Sequence, residues 1–211
     1  MFNTPRLRVS PNADSRSADE RITLVVIHAI SLPPDRFGGP GVEQLFTNTL
    51  DPSEHPYYAA IHHLRVSAHF FIRRDGERID FVSPDLRAWH AGVSQWKGRE
   101  RCNDFSIGIE LEGCDTLPFE PAQYLSLAAL LDEICVRFPV TDVVGHSDIA
   151  PGRKTDPGPY FDWHRLGQIV AESGASERLL VALAWKCGQA GLVCDAQDKM
   201  RWPFPLAQRP G

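Results

Sequence analysis

The chain has 211 residues, of which 43% are hydrophobic and 23% charged, and its formal net charge is −5 at pH 7. That composition can bury a core, which excludes a disordered chain, and no apolar run reaches the ~20 residues that span a bilayer. The acidic balance excludes nucleic-acid binding by bulk charge.

Residues 1–20 are polar and read as a flexible N-terminal arm without the apolar segment of a secretory signal. Residues 22–30 form a β-branched apolar run and read as a buried strand. The Pro- and Gly-rich stretch 33–41 reads as a long loop, 42–50 as a short helix, and 51–63 as loop again. Strands are expected at 66–73 and 78–82, joined by the turn Arg74-Asp75-Gly76-Glu77. A further strand is expected at 105–112, a helix at 122–138 ending at Pro139, and a short strand at 143–146. The order of elements gives an α/β domain, a mixed sheet with helices on its faces, over residues 21–170.

Residues 171–211 read as a C-terminal extension with one helix, N-capped by Ser176 and stopped by Gly188. Between those residues, 179–185 are apolar almost all round the helix, so something must cover them. The cover is either the domain itself or a second chain, which would make a homodimer. Five cysteines, Cys102, Cys114, Cys135, Cys187 and Cys194, contain no C-x-x-C pair and read as reduced thiols of a cytoplasmic protein.

Two of the eight histidines stand at the ends of apolar strands: His28 closes LVVIH and His146 closes DVVGH. Strand ends facing loops are where α/β folds place their sites. Asp156 follows ten positions after His146 in RKTDPGP. Two imidazoles and a carboxylate with one open position make a catalytic zinc set. The spacing alone favours the plainer reading, a histidine bonded to backbone and an aspartate capping a helix or in a turn. In SIGIELEG, Glu110 shares a strand face with Gly108 and Glu112, opposite Ile107, Ile109 and Leu111. A buried carboxylate there would have a raised pKa, suited to a general base, and a salt bridge to an arginine is the alternative. Lys154, two residues before Asp156, could steady an oxyanion or simply be solvated. Arg65, Arg99, Arg101 and Arg153 are scattered cations able to grip carboxylates. Trp89 and His90, in RAWHAG, either line a groove or pack. No G-x-S-x-G, Walker or dinucleotide glycine pattern is present.

The stretches HAISLPP, FGGPGVEQLFTNTLDP, HPYYAAIHHLRVSAHFFIRRDGE, RAWHAGVS, GRERCNDFSIGIELEG, GHSDIAPGRKTDPGP and FDW together resemble the AmpD-type 1,6-anhydro-N-acetylmuramyl-L-alanine amidases over residues 22–162. The resemblance implies the fold of peptidoglycan-recognition proteins and phage amidases, a central mixed sheet with flanking helices. It implies a zinc ion held by His28, His146 and Asp156, with Glu110 and Lys154 as catalytic groups. It implies that Arg65 and Arg101 hold stem-peptide carboxylates of an anhydromuropeptide substrate. The implied reaction is hydrolysis of the amide between anhydro-N-acetylmuramic acid and L-alanine in cytoplasmic cell-wall recycling. Ala29 departs from the family pattern, which usually carries Asn after the first zinc histidine, so one amide for the sugar is missing. A peptidoglycan-binding module without catalysis and an exported wall-lytic amidase are the competing classes. Neither a nucleic acid nor a membrane is expected as a partner.

Overall fold

The β-branched run around Val25 becomes an interior strand of a six-stranded sheet. A computed structural model describes residues 4–189. In chain order the elements are β1 (Arg6–Leu7), β2 (Ala13–Ser15), β3 (Leu24–Ile30), α1 (Gly41–Phe46), α2 (Pro56–Ile61), β4 (Phe70–Ile72), β5 (Arg78–Asp80), β6 (Leu86–Ala88), β7 (Gln95–Trp96) and β8 (Arg99–Glu100). They continue with a 3-10 turn at Cys102–Asp104, then β9 (Ser106–Glu112), α3 (Pro121–Arg137), β10 (Asp142–Gly145), α4 (His146–Ile149), α5 (Trp163–Glu172) and α6 (Glu177–Gln189).

The main sheet has the order β1-β5-β4-β9-β3-β10. It is mixed as expected: β3 pairs in parallel with β9 and β10, and β4 with β9, while β4 and β5 form the antiparallel hairpin. Gly76 takes the positive φ of +86° that the hairpin turn needs. Side chains alternate across the sheet. Val25, Ile27, Ile107 and Ile109 face a core built with Leu127, Leu131 and Ile134 of α3, Leu166 of α5 and Leu183 of α6. Leu24 and Val26 face the other side, with Phe105, Val144 and Ile149. A further cluster joins Phe71 and Ile79 to Leu45 and Phe46 of α1.

The arm is more ordered than its composition suggests. β1 pairs with β5 and β2 with β6. Ser10 and Asn12 are buried, and both donate to the Phe46 carbonyl at 2.5 and 3.3 Å. Polar side chains that satisfy backbone carbonyls hold the segment where apolar ones are lacking. The stretch 51–63 is not all loop, because α2 starts at Pro56 with His55 accepting from the Tyr57 N–H at 3.0 Å. Pro at the first helical position behind a capping side chain is the start signal in His55-Pro56.

α6 is covered by its own domain. Leu179, Ala182, Leu183 and Cys187 fall on one side, are fully buried, and pack with α5, α3 and β10. No second chain is needed to cover that face, so the homodimer expectation loses its ground. Val181 and Trp185 turn outward, and Trp185 meets Trp96 edge to face at 4.9 Å. Two details of the expected ends differ. The Ser176 hydroxyl has no hydrogen bond; the carbonyl of Ser176 accepts from Leu179 instead, and Gly188 lies inside the helix. Residues 1–3 of the arm and 190–211 of the extension, Cys194 included, lie outside the described residues.

Leu183→Ala should lower unfolding free energy by ~2–5 kcal/mol, because it empties a fully buried site. Urea unfolding measures it, and an unchanged midpoint would show that α6 is not part of the core.

Candidate active site

Parallel strands bring their carboxyl ends to one edge, and the candidate residues gather there. His28 lies on β3, opposite Glu110 of β9. Ile27 lies opposite Gly145 of β10, so His146, the next residue, falls beside His28. Asp156 arrives on the loop after α4, whose path is held by its own carbonyl accepting from the Ser147 N–H at 2.9 Å. Thr155 fixes the same loop to Asp115 at 2.6 Å.

The three groups converge. His28 Nδ1 stands 3.0 Å from His146 Nδ1 and 3.2 Å from Asp156 Oδ2, and His146 Nδ1 stands 3.0 Å from the same oxygen. The outer nitrogen of His146 donates to the Ala91 carbonyl at 3.1 Å. A carbonyl only accepts, so neutral His146 carries its proton on Nε2 and turns a bare Nδ1 toward the carboxylate. Two acceptors 3.0 Å apart repel unless a cation joins them. The nitrogen–nitrogen–oxygen set therefore fits a divalent metal that takes imidazole and carboxylate, zinc foremost.

Burial sets the protonation of the site. It lowers the His28 pKa to about 4, against the opposing pull of the neighbouring Asp156 carboxylate. Burial would raise the Asp156 pKa, but the closeness of His146 and His28, which favour the ionised carboxylate, outweighs it and holds the carboxyl below its usual range. Neutral imidazole and ionised carboxylate are the forms that ligate metals. Glu110 moves the opposite way. Burial, then the charge of Asp156, pushes its pKa well above the usual value, with Lys154 opposing. Its Oε2 is buried without a hydrogen-bond partner.

A cleft of about 650 Å³ collects these groups: His28, Glu110, His146, Lys154 and Asp156 all line it, with Trp89, His90 and Ala29. Lys154 is exposed at its edge. The two expected substrate arginines are not among the lining residues. Arg65 lies between Leu64 and Val66, which do line the cleft, and its Nη1 donates to the carbonyls of His62, His63 and Leu64 at 3.2–3.3 Å. Arg101, 72% exposed, pairs with Asp104 at 3.2 Å and borders a second depression. Arg153 lines both depressions and donates to the Ala91 carbonyl at 2.8 Å.

The sequence points to Trp89 and His90 as groove-lining or packing residues, and both line the cleft, but it misses their supporting contacts and Asn103. His90 Nδ1 lies 2.9 Å from His28 Nε2. Asn103 Oδ1 accepts the backbone N–H groups of His90 and Ala91 at 3.2 and 2.8 Å. The one legible signal is Gly108, since glycine within a strand marks a close approach. A Cβ there would lie 2.4 Å from the His90 ring.

The family profile described as N-acetylmuramoyl-L-alanine amidase matches residues 18–159. The chain belongs to that family. Among its relatives, the 1,6-anhydro-N-acetylmuramyl-L-alanine amidase AmpD of Citrobacter freundii is 58% identical over 170 residues, covering 80% of this chain and 91% of the relative. The Escherichia coli K12 enzyme of the same name is 59% identical over 165 residues, covering 77% and 90%. A crystal structure of a selenomethionine AmpD derivative superposes with a TM-score of 0.78 at 56% identity, over 81% of this chain and 96% of that one. The family's amidase fold is therefore the one observed. More distant members include AmiD from E. coli, solved with anhydro-N-acetylmuramic acid-L-Ala-D-gamma-Glu-L-Lys, with a TM-score of 0.52 at 33% identity over 74% of this chain and 60% of that one.

The buried histidines predict acid sensitivity. Burial, then Arg16, lowers the His69 pKa to about 3. An unfolded histidine takes its proton near pH 6.5. Between those values the unfolded chain binds more protons, so stability should be full above about pH 6.5 and fall as acid is added. His69→Asn, which keeps an acceptor for the Gly108 N–H and cannot titrate, should flatten part of that slope. Urea midpoints across the range measure both, and an equal slope in the variant would remove His69 as a cause.

Proposed function

We propose that this chain is a zinc-dependent 1,6-anhydro-N-acetylmuramyl-L-alanine amidase of cytoplasmic peptidoglycan recycling. The observation that carries the reading is the meeting of His28 Nδ1, His146 Nδ1 and Asp156 Oδ2 in one cleft with a buried, raised Glu110. The names of the AmpD relatives support the substrate, as does the anhydromuramyl tripeptide bound by AmiD. In this reading residues 21–170 form the amidase unit, and the extension beyond them is structural. No helix among the described residues is long and apolar enough to cross a membrane.

His28, His146 and Asp156 would hold the zinc. When bound, zinc supplies Lewis acidity, which acidifies an adjacent water to a pKa of about 7 and polarises the scissile carbonyl. Glu110 takes a proton from the attacking water. Its raised pKa makes it a competent base that still returns the proton to the leaving L-alanine nitrogen as the C–N bond breaks. The Lys154 ammonium at the cleft edge stabilises the charge that builds on the carbonyl oxygen. Arg65 and Arg101 grip the stem-peptide carboxylates beyond the cleft. Arg65 spends only Nη1 on backbone carbonyls, so Nε and Nη2 are its contacts for a ligand. Ala29 lines the cleft beside His28 and brings no amide, so shape rather than a hydrogen bond meets the sugar there.

Incubation with anhydromuropeptide, resolved by mass, should release the intact stem peptide and anhydro-N-acetylmuramic acid. Substrate left whole by zinc-loaded protein would overturn the activity. A strong chelator should abolish turnover and added zinc restore it, while His146→Ala should lose both metal and activity. Glu110→Gln should keep zinc and lose ~10²–10⁴ in rate; loss of zinc instead would make Glu110 a ligand. Arg65→Ala and Arg101→Ala should each cost ~1.5–3 kcal/mol of binding on substrates with free peptide carboxylates. Equal losses on the amidated substrate would refute the grip.

A further inference from the structure

His90 lines the cleft and takes no part in the steps proposed above, yet the fold makes room for it at some expense. Its ring occupies the space where any side chain at position 108 would stand. Its backbone N–H is held by Asn103. Its two nitrogens face His28 Nε2 at 2.9 Å and Ser106 Oγ at 3.2 Å.

The direction of these bonds follows from the far end. The Ser106 hydroxyl has one proton, and it points to the Cys102 carbonyl at 2.5 Å, which only accepts. The Ser106 oxygen therefore meets His90 Nε2 as an acceptor, and that nitrogen carries the proton. A neutral imidazole has a single N–H, so His90 Nδ1 is bare and accepts from His28 Nε2. His28 is then left with a lone pair on Nδ1, the atom that faces His146 and Asp156. His146 reaches the same tautomer in one step, by donating to the Ala91 carbonyl. The outer partner of a metal-bound histidine fixes its tautomer and ring angle.

We infer that His90 is the positioning residue of His28, holding it as the Nε2–H tautomer through a relay that ends on the Cys102 carbonyl. The inference rests on the zinc reading above and deepens it. It distinguishes two supports for two ligands: a backbone carbonyl for His146, and for His28 a replaceable side chain.

Long-range proton–nitrogen NMR of the metal-free protein, labelled at histidine, reads the tautomers without any substitution. His28, His90 and His146 should all carry the proton on Nε2, and a His90 or His28 proton on Nδ1 overturns the relay. Zinc affinity, measured by competition with a chelator, tests the consequence. His90→Phe keeps a flat aromatic ring and removes the acceptor, so it should weaken zinc ~10–100-fold. His90→Asn restores an acceptor oxygen near the Nδ1 position and should bind close to wild type. Wild-type affinity in His90→Phe, or equal weakening in both variants, overturns the positioning role. Wild-type protein that takes up no zinc overturns the zinc reading itself, and the tautomers still decide the relay.

Discussion

Parallel pairing of β3 with β9 on one side and β10 on the other places His28 opposite Glu110 and, one residue past the ladder, beside His146. A strand slipped by one residue would turn all its side chains to the opposite face. The register is set by apolar side chains that have nothing to do with chemistry: Val25 and Ile27 of β3 with Ile107 and Ile109 of β9, fully buried against α3 and α5. The core thus fixes the site by fixing the ladder, and the loop carrying Lys154 and Asp156 has only to close over it.

The site gathers groups that elsewhere would be expensive. His28 and His146 are buried side by side, His69 and His90 meet edge to face near them at 5.7 Å, and Glu110 keeps a buried oxygen without a partner. Buried polar groups persist when their hydrogen bonds are met. Here the outward-facing needs are met by carbonyls of Ala91, Leu86 and Cys102, directly or through Ser106. What is left unmet points into the cleft, as strain left at a functional site does. Asn103 is central to this arrangement, since one amide oxygen anchors both the residue that steadies His28 and the carbonyl that steadies His146.

The strands that carry the site were legible because apolar runs ending in a histidine are unusual and their boundaries follow from alternation. β3 and β9 fall where the pattern puts them, and the helix after Pro121 is closed by Pro139 as expected. The short strands of the arm were not legible. Two or three residues carry no period, and their partners lie some seventy positions away, as in Arg6 with Ile79. Ser176 has the right chemistry for a cap, but its backbone is claimed by Asp132 of α3 and its hydroxyl faces inward. The two arginines expected to bind substrate came from resemblance, and the fold places them outside the cleft lining because side-chain reach is not written in spacing. The His90 relay joins positions 28, 90, 106 and 102, which only the folded backbone brings together.

Lys186 of α6 reaches across to Asp148, at 2.6–2.7 Å, and Asp148 also accepts from the N–H of Gly145 at 2.7 Å. Gly145 is the residue before His146, so the ion pair closes on the turn from which that histidine projects. The lysine lies thirty-eight positions after its partner. A growing chain therefore leaves the ribosome with its two histidines already made, while the cation that neutralises the turn between β10 and α4 is still to come. The ion pair that closes this turn therefore forms only after α6 has been made.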